Sequence, residues 1–493
     1  MPGSAWLTDD GRIDGRMPDH VGRTHCAELW FTADRVYKRK RPVALGFLDF
    51  TTLAARRTAS QREVELNRRL APDVYLGVVD VHDVAGATVD VAVEMRRLPD
   101  DRRLATLAAA GAEVDGCVRS IARQIAVFHA AQPPAAHPER YAGVTALRAN
   151  WEDNLEVLRA HGDAIPAPQV AALAADVERY LDGRRPLFGS RIAAGMVRDG
   201  HGDLQAGDIF CLPDGPRVLD CLEFSDRYRI GDVLLDTAFL VMDLERLGRP
   251  DLARALLDTY RELTDARHPL SLVHHHVAYR AGVRAKVACL SADADATGEQ
   301  ASLLTTLAVD HLRRGRVRLV VVGGLPGTGK STLAADLSRR HGWALLRTDE
   351  VRKDLVGIAH GRAGGATAYR PDVTAATYTE VVRRAERLLG MGESVVLDGS
   401  WSAAGHRADA AAVAARTSSE LWQLRCHVAP AIAHARLAGR SDDASDATPA
   451  VHDEMATRFA PWDDAVVITT AATPAAVADV VDRAIGLPPH PDE

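Results

Sequence analysis

The sequence has no excess of positive charge and no bias toward disorder. Its 493 residues contain 60 lysines and arginines against 67 aspartates and glutamates, which gives a formal net charge of −7, and neither half is basic. This balance argues against a general nucleic-acid coating protein, although it leaves room for a local basic groove. Apolar residues make up 47% and charged residues 26% of the chain, which are ordinary fractions for globular proteins and exclude a long disordered scaffold.

Cysteine pairs and long apolar segments are also lacking. The six cysteines are scattered without a Cys-x-x-Cys pair, so we expect neither a zinc module nor a disulfide framework. The first twenty residues have no apolar core of signal-peptide length. No segment approaches the roughly 20 uncharged apolar residues of a membrane helix, and the longest candidate, residues 233–244, contains two aspartates. These absences predict a cytoplasmic protein with no membrane segment.

Two changes of pattern divide the chain. Residues 1–23 are rich in turn-forming residues and predict a lead-in segment, after which strands and then helices are expected up to about residue 312. From residue 316 a continuous apolar strand, typical of a buried parallel sheet, begins an alternation of strands and helices that runs to about residue 487. The main domain boundary is therefore predicted at residues 314–316.

The most specific motif is a phosphate-binding loop in the second half. Residues 324–331 read Gly-Leu-Pro-Gly-Thr-Gly-Lys-Ser, between the apolar strand and a predicted helix. Glycines let backbone N–H groups point at phosphate oxygens, at the positive end of a helix dipole. We expect ATP and Mg²⁺ to bind here, with Lys330 on the β- and γ-phosphates and Ser331 on Mg²⁺. The predicted nucleotide-binding residues are Gly324, Gly327, Thr328, Gly329, Lys330, Ser331 and Thr332.

Three further elements follow this loop in the order expected of an acceptor site. Asp349 and Arg352 lie three residues apart on one face of a predicted helix, where they are suited to accept a hydroxyl proton and to hold the acceptor. Asp398 ends a predicted strand and is placed to support Mg²⁺ through water. Arg436 and Arg440 share a helix face and are candidates for closing over the transferring phosphoryl group. An N-cap role for Asp349 and a solvated face for the two arginines are the alternatives.

This half resembles the small P-loop kinases of the zeta-toxin, gluconate kinase and polynucleotide kinase type over residues 316–487. The resemblance implies an α/β three-layer fold with a parallel sheet, and transfer of the ATP γ-phosphate to an acceptor hydroxyl. It also implies Asp349 as the base, Arg352 as the residue that binds the acceptor, and Arg436 and Arg440 as lid arginines.

A second set of candidate residues lies in the first 312 residues. His201 and Asp203 form a His-x-Asp pattern, Asp208 follows five residues after Asp203, and Asp220 ends the next predicted strand after a hairpin turn. This spacing is typical of a kinase catalytic loop that runs into a metal-binding strand. We expect Asp203 to act as the base, and Asp208 and Asp220 to hold Mg²⁺. A polar hairpin with satisfied aspartates is the alternative.

The residues upstream of this loop complete a kinase-like order. Lys38 at a strand end and Glu63 in the following helix are candidates for the ion pair that holds the α- and β-phosphates of ATP. Lys40 and Glu65 are second choices with the same local context. Met95, between a strand and the following helices, is the candidate for a hinge that holds adenine.

This half resembles the aminoglycoside phosphotransferase and choline kinase family over residues 24–312. The resemblance implies an α+β bilobal protein-kinase-like domain whose N-lobe extends to about residue 98. The whole chain resembles bacterial proteins in which such a domain is fused to a P-loop ATP-binding domain. Two positions depart from the family pattern, because Gln205 stands where members usually have His and Asp208 where they usually have Asn. No glycine-rich loop precedes Lys38.

Three functions follow from these patterns. The first is a bifunctional, ATP- and Mg²⁺-dependent phosphotransferase acting on a small-molecule hydroxyl, with a polynucleotide 5′ end as the less favoured acceptor. In the second, only the P-loop kinase is active and the N-terminal domain recruits a substrate or senses a metabolite, an interpretation favoured by Gln205 and Asp208. The third is an ATP-driven regulatory switch, against which the Asp349–Arg352 element argues because a switch needs no acceptor base.

Overall fold

The chain divides into two compact units. The computed structural model describes residues 5–24, 26–45, 48–264, 268–291, 294–359, 368–439 and 448–486. Unit 1 comprises Met1–Ala171, Gly189–His268 and His276–His311, and unit 2 comprises Ala172–Phe188, Pro269–His275 and Leu312–Glu493. Two short segments from within the first predicted domain thus group with unit 2, which no sequence pattern indicated.

Unit 1 begins with a mostly antiparallel sheet in the order β1-β7-β8-β4-β3-β2. The first eight strands are β1 (Leu7–Thr8), β2 (His20–Arg23), β3 (Ala27–Phe31), β4 (Arg35–Lys40), β5 (Ala44–Leu45), β6 (Leu48–Asp49), β7 (Tyr75–His82) and β8 (Thr88–Arg96). Strands β5 and β6 pair separately with each other. Strands β1 and β2 fall within residues 1–23, so part of the predicted lead-in segment contributes to the six-stranded sheet. Strands of two and four residues are too short to show an alternating pattern.

One helix places a carboxylate against this sheet. Helix α1 (Leu53–Asn67) begins after Thr52, whose hydroxyl accepts a hydrogen bond from the N–H of Ala55 at 3.1 Å. Its buried residues include Val64, which joins an apolar cluster with strands β4, β7 and β8, and Glu63. The same face that anchors the helix therefore carries Glu63 toward the sheet.

The rest of unit 1 is mainly helical, with two short hairpin-like pairs. The strands are β9 (Val197–Asp199), β10 (Ile209–Leu212), β11 (Gly215–Val218) and β12 (Ile230–Asp232), with antiparallel pairs β9–β12 and β10–β11. The helices from here to residue 314, parts of which belong to the unit 2 segments given above, are α2 (Leu104–Ala109), α3 (Asp115–Ala131), α4 (Glu139–Ala142), α5 (Val144–Ala160), α6 (Ala167–Gly183), α7 (Arg185–Ala193), α8 (Asp226–Arg229), α9 (Val233–Arg246), α10 (Pro250–Thr264), α11 (Leu270–Leu290) and α12 (Ala294–Arg314). This antiparallel sheet followed by helices confirms the predicted α+β class.

Two cysteines of unit 1 are joined by a disulfide bond. Cys117 on α3 and Cys211 on β10 are 94 residues apart in sequence, and their Cα atoms are 6.0 Å apart. The sequence-based expectation, which excluded a disulfide framework, did not include this single bond. Spacing alone could not show it, because the fold and not a short motif brings these two residues together.

Unit 2 contains a parallel five-stranded sheet in the order β14-β15-β13-β16-β17. Its strands are β13 (Arg318–Gly323), β14 (Ala344–Arg347), β15 (Val395–Asp398), β16 (Glu420–His427) and β17 (Val466–Thr469). Its helices beyond residue 314 are α13 (Lys330–His341), α14 (Thr348–Val356), α15 (Pro371–Gly390), α16 (Ala404–Arg416), α17 (Pro430–Ala438), α18 (Pro449–Arg458) and α19 (Pro474–Ala484). Strands β13 and β15 are buried along their whole length, as expected when helices cover both faces. The predicted α/β fold with a parallel sheet is confirmed.

One face of this sheet packs against two helices. Val320 and Val322 of β13 form a buried cluster with Leu333 and Leu337 of α13 and with Val481 of α19. This packing fixes the start of α13 at the carboxyl end of the central strand, where ligands bind in open α/β sheets. Within the described ranges, every helix is too short or too polar to span a bilayer.

Candidate functional site

Two lysines of strand β4 share one carboxylate of unit 1. Lys38 and Lys40 are two residues apart in a strand and therefore project from the same face. The Nζ atom of Lys38 lies 2.8 Å from Oε1 of Glu63, and Nζ of Lys40 lies 2.7 Å from Oε2. Burial raises the pKa of Glu63, but the two ammonium groups outweigh burial and hold the pKa well below its usual range. Glu65 is exposed, so the structure pairs both lysines with Glu63.

Each lysine also contacts a carboxylate from the loop beyond β11. Lys38 donates to Oδ1 of Asp220 at 2.6 Å, and Lys40 donates to Glu223. Asp220 has a φ of +63° and its N–H donates to the Tyr75 hydroxyl at 3.1 Å. A non-glycine residue in this left-handed region is strained and is typical of functional sites. Glu223 was missed, since its only sequence signal is a carboxylate three residues after Asp220.

A buried aspartate outside the motif holds the candidate catalytic loop. The carboxylate of Asp236, on α9, accepts hydrogen bonds from the N–H groups of His201 at 2.5 Å and Gly202 at 2.9 Å. Nε2 of His129 lies 3.2 Å from the same carboxylate. A Cβ atom on Gly200 would clash with Asp236, so that close approach requires glycine. An aspartate inside an apolar helix was the available signal, because buried carboxylates need such partners.

His201 supports the loop and does not face the reacting groups. Its Nε2 donates to the carbonyl oxygen of Leu219 at 3.0 Å, which leaves Nδ1 to accept from the N–H of Asp203 at 3.3 Å. Burial lowers the pKa of the His201 ring, which favours this neutral form. A second aspartate of α9, Asp243, accepts from the N–H of Ala206 at 2.9 Å. The helix therefore fixes both ends of the turn that carries Asp203.

Three carboxylates converge at the end of this loop. Burial raises the pKa of Asp203 to about 6, with a further increase from Asp220 that Arg284 and Arg280 of α11 oppose. Burial also raises the pKa of Asp208, and the charges of Asp220 and Asp203 add to the effect. Burial is the largest cause of both shifts, and the carboxylates also repel one another. A buried set of carboxylates that repel one another fits a hard divalent cation such as Mg²⁺, which prefers oxygen ligands.

Gln205 and Met95 are the two remaining residues of unit 1 that the sequence analysis singled out. The Gln205 side chain hydrogen bonds to Asp203, so the residue that departs from the family pattern contacts the candidate base directly. Met95 pairs with Val36 across β8 and β4 and is 9% exposed, in an apolar cluster with Leu98. The adenine-binding role of Met95 stays a prediction.

The loop between β13 and α13 in unit 2 requires its glycines. Gly324 and Gly327 have φ values of +143° and +80°. A Cβ atom at Gly324 would lie 2.6 Å from the carbonyl oxygen of Cys426, and one at Gly327 would lie 2.6 Å from that of Ala433. Both obstacles are backbone atoms, which cannot rotate away. The loop therefore has the glycine-dependent curl expected of a phosphate-binding loop.

The polar residues of this loop have different exposures and partners. Lys330 is the first residue of α13 and, like Ser331, is partly buried, whereas Thr332 is exposed. The hydroxyl of Thr328 donates to the carbonyl oxygen of Leu325 at 2.7 Å, and the Thr328 N–H donates to the same oxygen at 3.3 Å. Both donors of Thr328 thus serve the loop's own structure. The nucleotide-binding roles of Lys330 and Ser331 stay predictions.

Asp398 provides a buried oxygen near the phosphate-binding loop. It ends strand β15, in register with Val322 of β13. Its Oδ2 accepts from Nε of Arg347 at 3.2 Å, while Oδ1 is buried with no hydrogen-bond partner among the described residues. A buried carboxylate oxygen without a donor is costly unless a cation or water reaches it. Asp398 therefore fits its predicted role of supporting Mg²⁺, and Arg347 is a neighbour that the sequence did not reveal.

Asp349 and Arg352, predicted to share a helix face, form an ion pair with each other. Nη1 of Arg352 lies 2.6 Å from Oδ1 of Asp349, and the guanidinium lies 4.7 Å from the centre of the Tyr369 ring. Helix α14 has Arg347 as its N-cap, so the N-cap alternative for Asp349 is wrong. The Asp349 side chain is 26% exposed and that of Arg352 only 8%, so Asp349 is the more accessible of the two to an acceptor.

Only one of the two candidate lid arginines can be placed. Nη2 of Arg436 donates to the carbonyl oxygen of Thr470 at 2.7 Å. Its Nη1 lies 3.5 Å from the position that a Cβ atom on Gly329 would occupy, so the guanidinium is beside the phosphate-binding loop. Arg440 lies outside the described residues.

Family comparisons match these two sites separately. The model of the Phosphotransferase enzyme family, the aminoglycoside phosphotransferase type, matches residues 46–271. A model described as an AAA domain matches residues 319–462. The chain therefore combines an aminoglycoside phosphotransferase-like domain with a P-loop kinase domain, as the sequence motifs predicted.

Relatives match nearly the whole chain. An uncharacterized protein of Mycobacterium tuberculosis (strain H37Rv) is 39% identical over 472 residues, which cover 94% of this chain and 94% of that protein. An uncharacterized protein of Mycobacterium bovis has the same identity and coverage. The chain therefore belongs to the same family as these mycobacterial proteins.

Solved structures resemble each half at low sequence identity. Choline kinase from Cryptosporidium parvum Iowa II is 11% identical, with a TM-score of 0.41, and covers 60% of this chain and 89% of its own. A gluconokinase from Sinorhizobium meliloti 1021 is 16% identical, with a TM-score of 0.27, and covers 35% of this chain and 94% of its own.

Proposed function

We propose that the protein is an ATP- and Mg²⁺-dependent phosphotransferase with two kinase domains, each of which transfers the γ-phosphate of ATP to a hydroxyl group. The proposed domains span residues 24–312 and 316–487. The observation that carries the proposal is the charge arrangement around Lys38, which contacts Glu63 at 2.8 Å and Asp220 at 2.6 Å beside the candidate base Asp203. A module that merely recruits a substrate has no need of this arrangement.

In the N-terminal site, some residues bind ATP and another accepts the proton of the acceptor. Lys38, oriented by Glu63, neutralises the α- and β-phosphates of ATP. Asp203 accepts the proton of the acceptor hydroxyl, and its pKa of about 6 makes it a stronger base than an ordinary aspartate while it stays ionised at neutral pH. The loop positions Asp203 through the contacts of its backbone with His201 and with Asp236.

In the P-loop site, the backbone of residues 324–329 and Lys330 bind the phosphates, and Asp349 is the base. Arg352 holds the Asp349 carboxylate in place at 2.6 Å, and Arg436 neutralises charge beside the loop. Asp208 and Asp220 would hold Mg²⁺ in the N-terminal site, and Ser331 and Asp398 in the P-loop site. When bound, Mg²⁺ supplies positive charge that offsets the triphosphate.

The acceptor that we favour is a small molecule with a hydroxyl group, in the cytoplasm. A polynucleotide 5′ end is less favoured because neither half of the chain is basic, whereas a polyanion is held mainly by lysine and arginine. No membrane surface is involved in the proposed reaction.

The test is a screen of hydroxyl compounds for acceptor-dependent ADP release by the full chain. Two variants assign any activity: Lys330→Ala removes the P-loop lysine and Asp203→Asn removes the N-terminal base. Two acceptor activities, each lost in one variant alone, would support the proposal. Loss of all activity in Lys330→Ala alone would leave the N-terminal domain as a recruiting or sensing module. ADP release that no acceptor stimulates would instead favour an ATP-driven switch.

A further inference from the structure

Two helices of unit 2 bring three metal-ligating side chains together away from the Mg²⁺-type carboxylates. His434 lies on α17, and His452 and Asp453 lie on α18. One ligand atom from each residue lies within 4.8 Å of the other two. Nε2 of His434 is 3.0 Å from Oδ1 of Asp453, and the two imidazole rings are 5.1 Å apart at 87°. The arrangement joins side chains of two neighbouring helices.

The most buried member of this group is held in one tautomer. His452 is 3% exposed, and its Nδ1 lies 2.7 Å from the carbonyl oxygen of Pro326 in the phosphate-binding loop. A carbonyl oxygen only accepts, so Nδ1 carries the proton and Nε2 keeps its lone pair. A histidine that ligates a metal typically donates its other N–H to such a carbonyl, which orients the ring and raises its basicity. His452 thus has the partner that a ligand histidine requires.

The spacing and donor types indicate which ion fits. Zinc binds imidazole nitrogen and carboxylate oxygen at about 2.0–2.2 Å in tetrahedral geometry, so two ligand atoms of one ion lie about 3.3–3.6 Å apart. The 3.0 Å contact of His434 with Asp453 is close to that range, and the ligand atoms of all three residues lie within 4.8 Å of one another. Two nitrogen donors and one oxygen favour Zn²⁺, Co²⁺ or Ni²⁺ over Mg²⁺, which prefers oxygen.

We propose that His434, His452 and Asp453 form a binding site for a transition-metal ion of the zinc type, which joins α17 to α18 beside the phosphate-binding loop. A water molecule would complete the tetrahedral set, because the Asp453 side chain is 64% exposed and His434 is 35% exposed. Through the Pro326 contact, the bound ion also rigidifies the carbonyl side of the loop. The site does not depend on either proposed kinase activity.

The test measures metal binding to the full chain without nucleotide, since ATP itself binds divalent ions. Calorimetry with Zn²⁺ and visible absorption with Co²⁺ report affinity and ligand type. His434→Ala removes a ligand at a partly buried position and Asp453→Asn removes one at an exposed position, so the fold should persist, as thermal unfolding without metal would verify. His427→Ala, an exposed histidine at the end of β16, is the matched control.

We expect one Zn²⁺ site whose affinity falls at least about tenfold in each ligand variant and is unchanged in His427→Ala. Zn²⁺ should also raise the melting temperature of the parent chain and of His427→Ala, but not of the ligand variants. Absence of a site in the parent chain would overturn the proposal. So would equal binding by the parent chain and the ligand variants, because the ion would then bind other histidines.

Discussion

The Nζ atom of Lys38 lies 2.6 Å from Oδ1 of Asp220, although 182 residues separate them in sequence. This contact joins strand β4 of the N-terminal sheet to the loop that follows the β10–β11 hairpin. Without nucleotide, Lys38 offsets part of the negative charge of the carboxylates that are candidates for binding Mg²⁺. The contact therefore links the proposed phosphate-binding residue to the proposed metal-binding residue.

The P-loop lysine is the first test of the C-terminal site. In an Asp203→Asn background, which removes the N-terminal base, Lys330→Ala should lower acceptor-dependent ADP release by at least about 10²–10³-fold, because no other lysine of the loop offsets the developing phosphate charge. Arg339→Ala on the same helix is the control, since its side chain is 74% exposed. Near-normal turnover by Lys330→Ala would contradict the kinase interpretation of this domain.

Asp349 is expected to act in chemistry and not in nucleotide binding. Asp349→Asn keeps a hydrogen bond to Arg352 but removes the base, so phosphorylation of the acceptor should fall about 10²–10⁴-fold while ATP affinity stays the same. Steady-state kinetics and calorimetry separate the two effects, with Asp372→Asn as a control at an exposed aspartate. An equal fall in ATP affinity would mean that Asp349 is structural or supports the metal.

Asp208 should make the N-terminal site depend strongly on Mg²⁺. Burial and the charges of Asp220 and Asp203 raise the pKa of Asp208 to about 8, so its negative charge is present above that pH. We therefore expect free ATP to bind more weakly at pH 9 than at pH 7, and Mg·ATP to bind clearly at both pH values. Asp208→Asn should strengthen the binding of free ATP at pH 9, as calorimetry in a Lys330→Ala background would show. Asp214→Asn, whose side chain is 65% exposed on the same hairpin, should not. If Asp208→Asn also leaves Mg²⁺ dependence unchanged, Asp208 is not part of the site.

Gly327 tests whether the loop geometry is required. Gly327→Ala places a Cβ atom 2.6 Å from the carbonyl oxygen of Ala433 at a φ of +80°, and should destabilise the domain by about 1–3 kcal/mol and abolish turnover at the P-loop. Gly405→Ala, with nothing within 4 Å of its Cβ position, should leave both properties intact. Melting temperature and ADP release measure them. Full activity of Gly327→Ala would show that the loop accepts another conformation.

Because His276 is buried, we expect the free energy of unfolding to depend on pH. Burial lowers its pKa from 6.5 to about 4, and Arg191 and Arg280 add to the shift while Asp232 opposes it. Below about pH 6.5, His276 is protonated in the unfolded chain, whereas in the folded chain it is protonated only below about pH 4. The stabilisation of the folded state by neutral His276 is therefore complete above pH 6.5 and is lost as the pH falls from 6.5 to 4.

The expected loss between pH 7 and pH 5 is about 2 kcal/mol for this group. Urea unfolding at both pH values should show a smaller drop for His276→Gln than for the parent chain. His427→Gln, at an exposed histidine, should keep the parental drop. An identical drop in the parent chain and His276→Gln would mean that His276 titrates normally in the folded protein.

Contiguous motifs were predictable because their geometry is local. The phosphate-binding loop, its preceding strand and its following helix occupy one uninterrupted segment, so residues 318–341 determine their own arrangement. The Asp349–Arg352 contact follows equally from helical spacing. The sequence also showed that Lys38, Glu63, Asp203 and Asp220 occur in the order typical of a kinase, but it did not show which of these side chains contact one another.

The tertiary structure alone decided which partners those residues have. Asp236 binds the loop of His201 from 35 residues away, Lys40 joins Glu63 to Glu223, and Cys117 bonds to Cys211. Each of these contacts depends on how the helices and strands pack, and packing is set by burial summed over many residues and not by a short pattern. The sequence alone determined the local chemistry of both sites. The choice among neighbouring carboxylates, lysines and cysteines required the fold, because residues far apart in the chain meet only when their elements share a core.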